Sequence, residues 1–139
     1  MFVSLVSHAR TGGHDEIRID AHDTWSMDIT LASIITPMLR QMKDRKHGVP
    51  SSLIPSDHHS AQYTFDFISD DVRNEEVSAG ARKWDEHLDK MIWSFDMIAT
   101  GTWGSAAPPD DYPGDYDAFY KDVHDGVKLF AEFYGSLWD

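Results

Sequence analysis

The chain has no cysteine, which excludes disulfides, thiolate zinc sites and cysteine nucleophiles together. It also lacks any long apolar run. The opening stretch Met1 to Val6 is only six residues long, carries no preceding basic region and gives way to polar sequence, so it reads as a short strand rather than a signal peptide or membrane span. No His-Glu-x-x-His pattern, Gly-rich phosphate loop or nucleophile elbow is present, which removes the usual local signatures of metalloprotease, P-loop and hydrolase chemistry. There is no internal repeat and no long low-complexity tract.

Positive charge is scarce as well. Twelve Lys and Arg face 24 Asp and Glu, a net charge of −12. The imbalance is local: residues 1–64 hold six basic and seven acidic residues (−1), and residues 65–139 hold six and seventeen (−11). Such a field opposes non-specific DNA and membrane binding, and it favours solubility or a basic partner. A well-solvated surface explains the same composition.

What is present is enough apolar material for a core. At 139 residues with 41% hydrophobic and 12% aromatic content, five Trp among them, the chain suits one domain spanning 1–139. Phe2 to Ser7 and Glu16 to Asp20 alternate as short strands around Thr11-Gly12-Gly13, predicting a β-hairpin cover over residues 1–20.

A first helix is expected over 26–47. Ser26 is a good N-cap, Asp28 suits the first turn, and Gly48 and Pro50 stop the run. Met27, Leu31, Ile34, Ile35, Met38 and Met42 fall on one face, expected to be the core face. Pro37 removes one backbone donor and predicts a bend near Ser33.

Residues 48–77 read as a connecting loop, with Tyr63 to Ile68 a short strand or helical turn. A second helix is expected over 78–99, with Trp84, Leu88, Met91, Ile92, Phe95 and Ile98 inward and Gly101 beyond its end. The turn-rich segment 100–114 forms a second loop. A third helix is expected over 115–134, with Gly126 inside it at a cost of about 1 kcal/mol relative to Ala unless close packing requires it. The fold class that follows is mainly α, a three-helix core with a small N-terminal hairpin.

Four features could carry function. Arg40, Lys43, Arg45 and Lys46, with His47, form a basic tip on an acidic protein and suit a phosphate-bearing ligand. Cations at a helix C-terminus also simply stabilise its dipole. Asp85, Glu86 and Asp89 are spaced to hold Mg²⁺ through water and phosphate oxygens, as all-α nucleotide pyrophosphatases do, although the upstream Glu75-Glu76 lacks their Glu-x-x-Glu spacing; a solvated helix face is the plainer reading. His58-His59, His14 and His22 are possible imidazole ligands, but adjacent loop histidines rarely converge on one ion. Trp25 and Trp93 could stack on a base or a partner's side chain. Trp25 can equally cap the core, whereas Trp93 falls off the second helix's apolar face.

Three segments carry a resemblance: Asp23-Thr24-Trp25-Ser26-Met27-Asp28 continuing to Lys46-His47-Gly48-Val49-Pro50, the run from Trp84 to Phe95, and the ending from Gly126 to Asp139. Together they resemble a family of small tailed-bacteriophage proteins. The chain departs from that pattern at Ile29, where the family has His, and at Lys90, where it has an acidic residue. The resemblance implies a phage origin and action in the cytoplasm of an infected bacterium.

The expectation is a non-catalytic phage accessory protein that counters host defence by binding a phosphorylated small molecule such as a nucleotide signal, with no cofactor and as a homo-oligomer. In that reading Arg40, Lys43, Arg45 and Lys46 meet phosphates and Trp25 or Trp93 stacks on the base. Two alternatives stay open: an acidic nucleic-acid mimic that inhibits a host defence protein, and a Mg-dependent pyrophosphatase-like enzyme using Asp85, Glu86 and Asp89.

Overall fold

A computed structural model describes residues 4–6, 16–45, 48–54, 70–105 and 107–137. Strands β1 (Ser4–Val6) and β2 (Glu16–Arg18) pair antiparallel with Leu5 opposite Ile17. The expected Gly-Gly turn between them lies outside the described residues, as do His14, His58, His59 and the segment Tyr63 to Ile68.

A tight turn at Ala21–Thr24 leads from the strands into the first helix. It is closed by two carboxylates acting reciprocally: Asp20 accepts the His22 N–H at 2.9 Å and Asp23 accepts the Asp20 N–H at 2.9 Å. The backbone hydrogen bond from His22 holds the Asp20 carboxyl below its ordinary range.

Three helices follow: α1 (Met27–Arg45), α2 (Asp70–Ala99) and α3 (Tyr116–Glu132). The three-helix core expected from the periodicity is therefore present. Helix α1 runs through Pro37 without interruption, and in the turns before it the Ser33 and Thr36 hydroxyls donate to the Ile29 and Ala32 carbonyls at 2.8 Å. Helix α2 starts at Asp70, eight residues before the expected Ser78, and at 30 residues is about 45 Å long. The stretch from Asp70 to Val77 has few apolar residues, so periodicity gave no signal for it. Gly101 ends the helix in the left-handed conformation, φ 74°, and its N–H returns to the Ile98 carbonyl at 3.0 Å. Asp115 caps α3 by accepting the Ala118 N–H at 2.9 Å.

Helix α2 is the central element, packed on α1 along one side and on α3 along the other. Its expected face is the core: Trp84, Leu88, Met91, Phe95 and Ile98 are buried together with Phe119 and Val123 of α3 and the following Phe133. The rings interlock, with Trp84 on Phe133 at 5.2 Å and Phe95 edge-on to Phe130 at 4.9 Å.

Helix α1 departs from expectation. Its buried residues are Ala32, Thr36 and Leu39, with Ile35 and Met42 partly covered, whereas Met27, Leu31 and Met38 are exposed. Ala32 and Thr36 let α1 come close to α2, Leu39 fills the space beside them, and the ridge of Met27, Leu31 and Met38 is turned outward.

Candidate functional site

The basic tip and the acidic helix, two separate candidates in the sequence, meet one another. Arg40 donates to Asp96 at 2.9 Å, and the Lys43 ammonium donates to the Asp89 carboxylate. Residue numbers rise along α1 while those of their partners fall along α2, so the two pairs stitch antiparallel helices together. The hydrogen bond to Asp89 holds the Lys43 pKa above its ordinary value.

Two of the four proposed phosphate ligands are therefore already occupied by carboxylates. Arg45 is exposed at the helix end, and Lys46 and His47 lie outside the described residues. The carboxylates of α2 are similarly engaged. Asp89 holds Lys43, and Glu86 is 3.5 Å from Lys83. Among the described residues no group of three or more His, Asp or Glu is placed to hold a metal ion.

The two tryptophans proposed for stacking are far apart in environment. Trp25 is 76% exposed, its ring 4.3 Å from that of His22. Trp93 lies on the side of α2 that meets the 107–113 loop and α3, stacked with Tyr112 at 6.1 Å and edge-on to Phe119 at 5.9 Å. Arg40 and Lys43 bind carboxylates three residues after and four residues before Trp93 on α2, and neither lines the cleft beside it.

Trp93 instead lines an open cleft of about 480 Å³, within the range that small ligands or single side chains fill. Three elements build it. Helix α2 supplies Lys90, Trp93 and Met97, the loop supplies Pro109, Asp111, Tyr112 and Pro113, and α3 supplies Asp122. The loop is held in shape by its own turn, where the Tyr112 N–H donates to the Pro109 carbonyl at 2.9 Å.

The polar centre of the cleft is one hydrogen bond. The Tyr112 hydroxyl donates to Asp122 Oδ2 at 2.6 Å, and the phenol is pushed up to about 12 because that carboxylate holds its proton and opposes its ionisation. At neutral pH Tyr112 is thus a neutral ring with a fixed proton, unsuited to act as a base. Among the described residues the lining includes no Ser, Thr or His. Two carboxylates against one ammonium, around aromatic faces, suit reversible recognition of a positively charged group.

A second aromatic cluster flanks the same loop, with Trp103 stacked on Tyr120 at 4.3 Å and His124 beside both rings. Sequence reasoning singled out Trp93 but missed Lys90, Tyr112 and Asp122. The available signal was an aromatic residue set among prolines and acids at Pro108-Pro109-Asp110-Asp111-Tyr112-Pro113, a composition that makes a stiff loop able to present a ring. No described helix is long and apolar enough to cross a membrane. Comparison with known proteins gave no matching family model, no matching curated protein and no matching solved structure.

Proposed function

We propose that this chain is a non-catalytic binding protein whose Trp93–Tyr112 cleft receives a guanidinium or ammonium side chain from a basic protein partner. The single observation that carries this reading is the composition of the cleft: two aromatic faces with Asp111 and Asp122 at hand. A cation over an aromatic ring gains about 0.5–2 kcal/mol, and a carboxylate beside it adds charge-assisted hydrogen bonds. The net charge of −12 supplies the long-range attraction that brings a basic surface to the cleft. In the setting that the phage resemblance implies, the partner is a basic surface of a host defence protein in the bacterial cytoplasm.

The phosphorylated small molecule is a second reading, favoured by one observation: Lys90 stands beside Trp93, a cation next to a stacking face. In that form Lys90 takes the role first expected of Arg40 and Lys43.

Titration of Trp fluorescence separates the two. An Arg-rich peptide is expected to bind with an affinity that falls steeply with salt, and Trp93→Ala to abolish the change. Nucleotides binding while the basic peptide does not would replace the first reading with the second. Failure of both ligands below millimolar concentration would sink both.

A further inference from the structure

The outward ridge of α1 is spaced as a helix-pairing seam. Met27, Leu31, Ile34 and Met38 recur at intervals of four, three and four residues, the 3.5-residue repeat by which two helices pack knobs into holes. They lie on the side of α1 away from Ala32, Thr36 and Leu39, which face the core. Met27, Leu31 and Met38 are 56, 45 and 65% exposed, and Trp25, two residues before the ridge begins, is 76% exposed. A contiguous apolar surface of this kind marks an interface on a soluble protein.

We infer that this ridge is the interface of a symmetric dimer in which a second copy of the chain lays its own α1 antiparallel along it. Charge selects both the occupant and the direction. Asp28 lies at the N-terminal end of the ridge and Arg45 at its C-terminal end. Parallel copies would set Asp28 against Asp28 and Arg45 against Arg45. Antiparallel copies bring Arg45 of each to the Asp28 end of the other, pairing opposite charges and opposing the two helix dipoles. The ridge is its own complement when reversed, as a two-fold interface requires.

Area agrees with this occupant. Trp25, Met27, Leu31 and Met38 leave about 500 Å² in water, and the exposed Asp28, Gln41 and Arg45 around them bring the face near the ~800 Å² per partner of a standard interface. The interface lies on α1, apart from the Trp93 cleft, and does not depend on the function proposed for that cleft.

Sedimentation velocity on the full chain tests it. The chain is expected to dimerise, and Leu31→Lys or Met38→Lys to raise the dissociation constant by about thirtyfold or more, with an unchanged helical circular dichroism spectrum because both side chains point outward. Orientation is read by cross-linking, since the chain has no cysteine of its own. Asp28→Cys mixed with Arg45→Cys should give a disulfide between the two variants that neither gives alone. A chain that remains monomeric at about 200 µM, well above a micromolar dissociation constant, would overturn the inference. So would a dimer indifferent to both ridge substitutions, or disulfides formed within each single variant and absent from the mixture.

Discussion

Gly126 of α3 faces Ser94 of α2 with no space for a side chain between them: a Cβ at Gly126 would fall 1.9 Å from the Ser94 hydroxyl oxygen and 2.7 Å from the Lys90 carbonyl oxygen. Ser94 is fully buried there, its hydroxyl donating to the Asp122 carbonyl at 3.4 Å. Gly126→Ala sets two effects against each other. Alanine improves helix propensity by about 1 kcal/mol, but overpacking against a backbone carbonyl costs about 1–3 kcal/mol or more, because that atom cannot rotate away. A net loss of stability by urea denaturation is expected; an unchanged or higher midpoint would contradict the close approach of α2 and α3.

The two ion pairs between α1 and α2 are partly exposed, with the Lys43 and Asp89 side chains 32 and 61% accessible. A double-mutant cycle over Lys43→Ala and Asp89→Ala is expected to give a coupling of about 0.2–1 kcal/mol at low ionic strength. In about 1 M salt that coupling should largely vanish, since screening then acts over ~3 Å. Coupling that survives high salt would place the pair in a drier setting than its exposure indicates.

Tyr112 should ionise late. Its pKa of about 12, set by the hydrogen bond to Asp122, lies well above the ~10 of a free phenol. The sign follows from linkage: the folded state holds the proton more tightly, so this contribution is complete below pH ~10 and is lost as pH rises through the folded value. Ultraviolet difference titration should show a late component that disappears in Tyr112→Phe and moves toward ~10 in Asp122→Asn. A late component unchanged by Asp122→Asn would mean that some other group holds the proton.

His87 gives a pH dependence in the acid direction. Burial depresses its pKa below the usual imidazole value, and its ring lies 5.1 Å from that of Phe133. The unfolded chain therefore takes up this proton first as pH falls. Stability contributed by neutral His87 is complete above pH ~6.5 and declines below it. Urea midpoints at about pH 7.5 and 5.5 should differ for the native chain and differ less for His87→Gln. Equal differences in both would assign the effect to other groups.

How much was legible followed from how local each signal was. The inward face of α2, the Gly101 stop and the start of α3 near Asp115 all depend on residues within one or two turns, and sequence alone located them. The roll of α1 was not legible. Periodicity identifies an apolar ridge but carries no sign for which way it faces; Met27, Leu31 and Met38 looked like core until Ala32 and Thr36 proved to be the residues that let α1 come close to α2. The cleft was hidden for a different reason. Trp93, Tyr112 and Asp122 come from three separate elements, and only folding brings the phenol to the carboxylate. Arg40, Lys43, Asp89 and Asp96 were each visible as charged groups, yet their pairing across roughly fifty residues cannot be read from spacing.

The pairs Arg40–Asp96 and Lys43–Asp89 grip the inner flank of a helix whose outer flank is oily and wet. Ionic strength consequently acts on α1 in opposite senses. Added salt screens the charged grips that tether the helix to its own chain, while strongly hydrated salts such as sulfate raise the cost of keeping Met27, Leu31 and Met38 in contact with water. One change of medium thus weakens the charged part of the inner contact of α1 and makes its outer face stickier.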